Sequence, residues 1–127
     1  MSLKVKSTVK LNRQRIKEIE KAAQTSLEQT AEATKTELIN KGYIPFDTGT
    51  LQNESTFVDA ENLDKGIVSL VSSTPYARRL YFHPEFNFQT VNNSNAQAQW
   101  FEPFISGDDK EFITDTFKKL FKKNAKL

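Results

Sequence analysis

Across residues 12–40 the apolar positions Ile16, Ile19, Ala23, Leu27, Ala31, Thr34 and Leu38 recur at three- and four-residue intervals, in a stretch free of glycine and proline. This pattern predicts one long amphipathic helix, with Glu18, Lys21, Glu28, Glu32 and Lys35 on its polar face. At about 1.5 Å per residue the helix would reach roughly 40 Å, more than a domain of this size needs to cover its own core. Part of it is therefore expected to meet another chain. Lys41 and Gly42 close the helix, glycine being free to take a left-handed cap, and Pro45 forbids continuation.

The periodicity then changes. Residues 51–59 and 66–73 are short β-prone runs, and residues 60–65 between them read as a hairpin connection. Ile67, Val68, Leu70 and Val71 place apolar groups on both faces, the pattern of a central strand with cover on each side, one side being the long helix. Residues 76–83 are rich in aromatics and arginine and fit either a third strand or a helical turn, ended by Pro84. Residues 85–99 carry many Asn and Gln and few apolar groups, which predicts a mobile loop.

Trp100, Phe101, Phe104 and Ile105 bring the chain back to an apolar surface, and Gly107 precedes a last helix expected over residues 108–123. Asp108 is its expected N-cap, with Glu111 completing a capping box. Phe112, Ile113, Phe117, Leu120 and Phe121 form its apolar stripe, and Lys118, Lys119, Lys122 and Lys123 near its end suit the helix dipole. The order predicts an α+β fold, with a long N-terminal helix and a C-terminal helix packed on a small antiparallel sheet and one long loop. One domain over residues 1–127 is expected, with residues 1–10 flexible.

Composition narrows the function classes. A chain of 127 residues suits a single core. Its formal charge of +2 lacks the strong positive field of a dedicated nucleic-acid binder. The absence of cysteine excludes disulfide frameworks, thiolate metal sites and cysteine nucleophiles. No apolar run approaches the roughly 20 residues that span a bilayer, and residues 1–10 alternate lysine with small residues and lack a signal-peptide core. A soluble protein with no membrane partner is expected.

Three constellations invite chemistry. Asp47-Thr48-Gly49 spells the aspartic-protease triplet, but a helix ends just before it and a polar run follows, so a turn explains it: the Asp47 carboxylate caps nearby amides and Gly49 takes a positive φ. A dimeric Asp-Thr-Gly protease is the remote alternative. His83 is the single histidine and would need carboxylates such as Glu85, or a second chain, to hold zinc; Ser69, Ser72 and Ser73 lack a base and nucleophile-elbow glycines. No catalytic, cofactor or metal site is expected, and the chain reads as a non-enzyme. Tyr76, Arg78, Arg79, Tyr81, Phe82, His83, Phe86 and Phe88 form the densest unusual cluster, mixing planar cations with aromatic faces as interface hot spots do. Ordinary core and rim is the plain alternative, and stacking on bases is a third. The lysines of the last helix and Lys126 could meet phosphates, although their position already suits a helix end.

Three strings then appear in order: Pro45-Phe46-Asp47-Thr48-Gly49-Thr50-Leu51-Gln52, then Thr74-Pro75-Tyr76-Ala77-Arg78-Arg79-Leu80-Tyr81-Phe82-His83-Pro84-Glu85-Phe86-Asn87-Phe88, then Trp100-Phe101-Glu102-Pro103-Phe104-Ile105. In that order and spacing the chain resembles the minor capsid proteins of phages and prophages of Gram-positive bacteria, from about residue 41 onward. That family is similar to the wider group of phage neck and tail-completion proteins, although Tyr81-Phe82-His83-Pro84 stands where many of those have a Phe-Gly-Thr turn. The resemblance implies a non-enzymatic virion protein at the head-tail connection, present in the host cytoplasm during assembly. Its implied partners are other head, neck and tail proteins and further copies of itself in a ring. A ring contact is heterologous and needs two different patches, for which the first helix and residues 76–88 are the candidates.

Overall fold

The computed structural model describes residues 2–44, 56–73, 77–82 and 95–127, without the side chain of Arg79. Helix α1, Arg13–Asn40, begins where the Asn12 side chain accepts a hydrogen bond from the Arg15 amide at 3.0 Å. It ends as the Lys41 amide donates to the Glu37 carbonyl at 2.9 Å and that of Gly42, at φ 67°, to Ile39 at 3.0 Å. This is the left-handed closure expected of Gly42.

Strands β1, Thr56–Asp59, and β2, Ser69–Ser72, pair antiparallel with Phe57 opposite Val71 and Val58 opposite Leu70. Alternation puts Thr56, Val58, Leu70 and Ser72 on one face and Phe57, Asp59, Ser69 and Val71 on the other. The first face is the inner one, since Thr56 is buried and Leu70 packs against the core. A 3-10 turn, Leu63–Lys65, and left-handed Gly66 join the strands. The central-strand expectation for β2 is corrected. Among the described residues it has one strand neighbour, and Ile67 precedes the strand and is 53% exposed. The run of apolar residues overstates the strand because its first two members belong to the exit from the turn.

Residues 76–83, left between strand and helix by their pattern, contain helix α2, Ala77–Tyr81. Helix α3, Glu102–Ile105, starts with Pro103 in its first turn, where a missing amide costs nothing. The chain then turns sharply into helix α4, Lys110–Asn124. A Cβ on Gly107 would stand 2.8 Å from the Pro103 Cα, so only glycine permits this turn.

The capping box expected at Asp108 and Glu111 is also corrected. The cap position is Asp109, whose side chain makes no cap bond and turns instead to α1. Asp109 Oδ1 accepts from Lys41 Nζ at 2.7 Å and Oδ2 from the Tyr43 hydroxyl at 2.6 Å. A charge-assisted bond to another element outweighs a local cap here.

α1 and α4 lie antiparallel. Lys41 meets Asp109 at one end, and at the other Asn124 Nδ2 donates to Ser26 Oγ at 2.9 Å while the Arg15 guanidinium donates to the Ala125 carbonyl at 2.5 Å. The buried line of α1 is Ala22, Ser26, Thr30, Thr34 and Leu38. Over its first half this line sits one position from the apolar series Ile19, Ala23 and Leu27, which are half-buried at its flank, and Ile16 is exposed. Small side chains bring the two backbones together, and larger ones straddle the contact. Leu38, Ile44, Ala77, Trp100 and Phe104 form the core, so helices packed on a small antiparallel sheet make this an α+β fold.

Candidate functional site

α2 delivers the site. Ala77 is buried in the core and fixes the helix by its first turn, which leaves Arg78 exposed and carries Tyr81 over the Trp100 indole. The Tyr81 and Trp100 ring centroids are 4.9 Å apart with an interplanar angle of 83°, an edge-to-face contact. Tyr81 also meets Phe101 at 5.8 Å and Phe82 at 5.1 Å, the latter at 75°. Trp100 is fully buried, and its Nε1 donates to Ser72 Oγ at 3.3 Å. Ser72 Oγ in turn shares a hydrogen bond of 2.8 Å with Thr56 Oγ1, so the sheet supports the indole from below.

Phe82 ends this stack and is 59% exposed. With Arg78, Tyr81, Trp100, Phe101 and Ser72 it borders an open cleft of about 300 Å³. Burial raises the Tyr81 pKa, the Glu102 carboxylate adds to the rise, and the Phe101 amide opposes it, so the ring stays a neutral phenol at physiological pH. The cleft presents a fixed aromatic wall, a cation and an exposed ring. It can bind a planar or apolar group, and among the described residues that line it no nucleophile is paired with a base.

The structure thus brings Arg78, Tyr81 and Phe82 together, and Arg79 lies in the same helix. Tyr76, His83, Phe86 and Phe88 lie outside the described residues, as do Asp47, Thr48 and Gly49. Trp100, Phe101 and Ser72 were not read from the sequence as members of this site. Trp100 and Phe101 stand 19 and 20 residues after Tyr81 in the sequence, and the signal that could have found them is the aromatic pair itself. Residues 95–99 hold that pair in place without forming a helix or strand. The Asn95 side chain donates to the Lys41 carbonyl, the Gln97 amide to Tyr43 and the Gln99 amide to Tyr81, at 2.9–3.0 Å.

Two further features bear on function. Asp109 has its pKa lowered by the bonds from Lys41 and Tyr43, and those bonds raise the pKa of both partners, so the three form a clamp between α1 and the start of α4. On α4, Lys118, Lys119, Lys122 and Lys123 are all exposed. Among the described residues no group of three His, Cys, Asp or Glu side chains could hold a metal ion, and no helix is long and apolar enough to cross a membrane. No protein-family model, curated protein or solved structure matches this chain.

Proposed function

We propose that this chain is a structural virion protein of a tailed phage or prophage, a minor capsid or head-tail connection component that acts by binding its neighbours. The order of the three sequence strings supports the family, and one observation carries the mode of action. Phe82, more than half exposed, is held edge-on by Tyr81, which is itself held by the buried Trp100, with Arg78 exposed beside it. A preordered aromatic ring next to a guanidinium loses little conformational freedom on binding, the property of an interface anchor. α1 supplies a second, different patch, as a head-to-tail ring contact requires.

The test pairs Arg78→Ala with Phe82→Ala, both exposed, and leaves Tyr81 in place to support Trp100. Self-assembly, or co-purification with portal and tail proteins of the same phage, is expected to weaken at least about tenfold, or ~1.4 kcal/mol, with an unchanged circular-dichroism spectrum. Unaltered assembly would remove this face from the interface. The exposed lysines of α4 favour a second reading, a nucleic-acid-binding accessory module. That reading requires DNA binding that falls steeply with salt, and its absence at low ionic strength ends it.

A further inference from the structure

Residues 3–11 alternate strictly. Leu3, Val5, Val9 and Leu11, with Ser7 between them, occupy the odd positions, and Lys4, Lys6, Thr8 and Lys10 the even ones. A period of two over nine residues is the pattern of a β-strand with one apolar and one cationic face. Yet residues 2–12 carry no helix or strand and every one is exposed, Leu3 at 90% and Val9 at 83%. The segment thus has a strand's pattern with no sheet to join.

The β1–β2 sheet is the complementary half. Among the described residues the sheet has two strands and one helix-covered face, a minimal sheet, and an extended segment added at an edge is a common mode of recognition. β2 is the edge that suits it. Thr56 on β1 is fully buried, whereas β2 begins at exposed Ser69 just after half-exposed Ile67. Phe57 and Val71 stand in the outward row of the sheet, Phe57 is 40% exposed, and exposed Ile67 leads into β2 just before that row. A strand beside β2 would continue that row with its own Val and Leu side chains. Charge agrees, since the hairpin end carries Asp59, Glu61 and Asp64 against Lys65, and residues 2–11 carry three lysines and no acid.

The acceptor is another copy. Leu70 of β2 packs in the core with Leu38, about 38 Å along the α1 axis from Arg13. Eleven extended residues reach at most roughly 36–40 Å, so within one chain the arm would exhaust its length in arriving and have little left to pair.

We infer that residues 3–11 of one copy add as a third strand to the β2 edge of the next, each copy giving one arm and receiving one. This rests on the assembly reading for its setting and names the contact that links identical subunits.

The test uses the full chain, which has no native cysteine. Copies with Val5→Cys are mixed with copies carrying Ile67→Cys and oxidised; both positions are exposed, so folding is preserved. A mixed disulfide in clear excess over either homodimer is expected, and light scattering should show self-association at least about tenfold weaker for Val5→Asp/Val9→Asp than for the parent. Equal homodimers, a doubly substituted chain closing on itself as a monomer, or a Val5→Asp/Val9→Asp variant that associates like the parent would overturn the inference. In that last case, loss of assembly in Arg78→Ala/Phe82→Ala would leave the assembly reading standing. A parent that stays monomeric at all concentrations overturns the arm contact, and the assembly reading falls with it only if the parent also fails to co-purify with portal and tail proteins.

Discussion

At the Leu38 end of α1 the contact is built of rings, and at Ser26 it is built of hydroxyls. Around Leu38, Trp100 and Phe104 are buried, and Phe104 meets Tyr43 at 6.1 Å and Phe112 at 5.9 Å, both edge-on. Along the middle of the same helix, Ser26, Thr30 and Thr34 are buried, and each returns its hydroxyl to the carbonyl four residues back, at 2.6–2.8 Å. Among the described residues only Ser26 also reaches across, accepting from Asn124. The first region gains its stability from apolar area. The second gains close approach of two backbones, with its polar atoms satisfied inside the helix at little net gain. One helix therefore serves two purposes, anchoring the core at one end and setting the spacing of the helix pair along its middle.

The sharpest way to break the comparison is at the ring end. Trp100→Ala is expected to cost about 3–5 kcal/mol in urea unfolding, because the indole is fully buried and Tyr81 and Ser72 both rest on it. In the hydroxyl region the damage comes from size. Ser26→Leu is expected to cost about 1–3 kcal/mol by forcing α4 outward and removing the acceptor of Asn124. A cost near zero there would show that the helix pair is looser than its small-residue line implies.

The smallest effect belongs to the clamp that joins the two regions. Asp109 has its pKa lowered below its ordinary 3.8, so its contribution is present above that value and lost as pH falls through the folded one. Lys41 and Tyr43 have theirs raised, so their contributions are present below 10.5 and 10.0 respectively and are lost as pH rises past the folded values. Thermal unfolding of Asp109→Asn across pH should therefore lose a small part of both limbs, and an unchanged acid limb would assign the parent's acid sensitivity elsewhere.

Local pattern carried most of the fold. The ends of α1 follow from Asn12, Gly42 and an uninterrupted helical composition, both strands lie within the runs that predicted them, and the last helix starts two residues later and ends one residue later than the expected 108–123. Tertiary contacts took the rest. Asp109 abandons a cap that Asp108 had been expected to provide, because Lys41 and Tyr43 arrive from the other end of the chain. The buried line of α1 joins the apolar series at Thr34 and Leu38 but runs before them through Ser26 and Thr30, which a search for apolar periodicity passes over. Of the candidate site, Arg78, Tyr81 and Phe82 were legible as a composition, but the wall behind them was not, because the contact of Trp100 with Tyr81 is tertiary, supported by Ser72 and by hydrogen bonds of Asn95, Gln97 and Gln99.

The pairing of α1 with α4 also sets an order of events. Arg15 bonds to a carbonyl 110 residues later, and Ser26 to a side chain 98 residues later. α1 leaves the ribosome first, yet the surface that buries its middle is synthesised among the last residues of the described chain. A nascent chain must hold its longest helix uncovered until α4 emerges, and closing so long a loop makes folding slower than helical content alone would predict. A chain stopped before residue 110 would keep Trp100 and Phe104 but lose Phe112 and the partner of Ser26, so the hydroxyl line is covered only once α4 has been made.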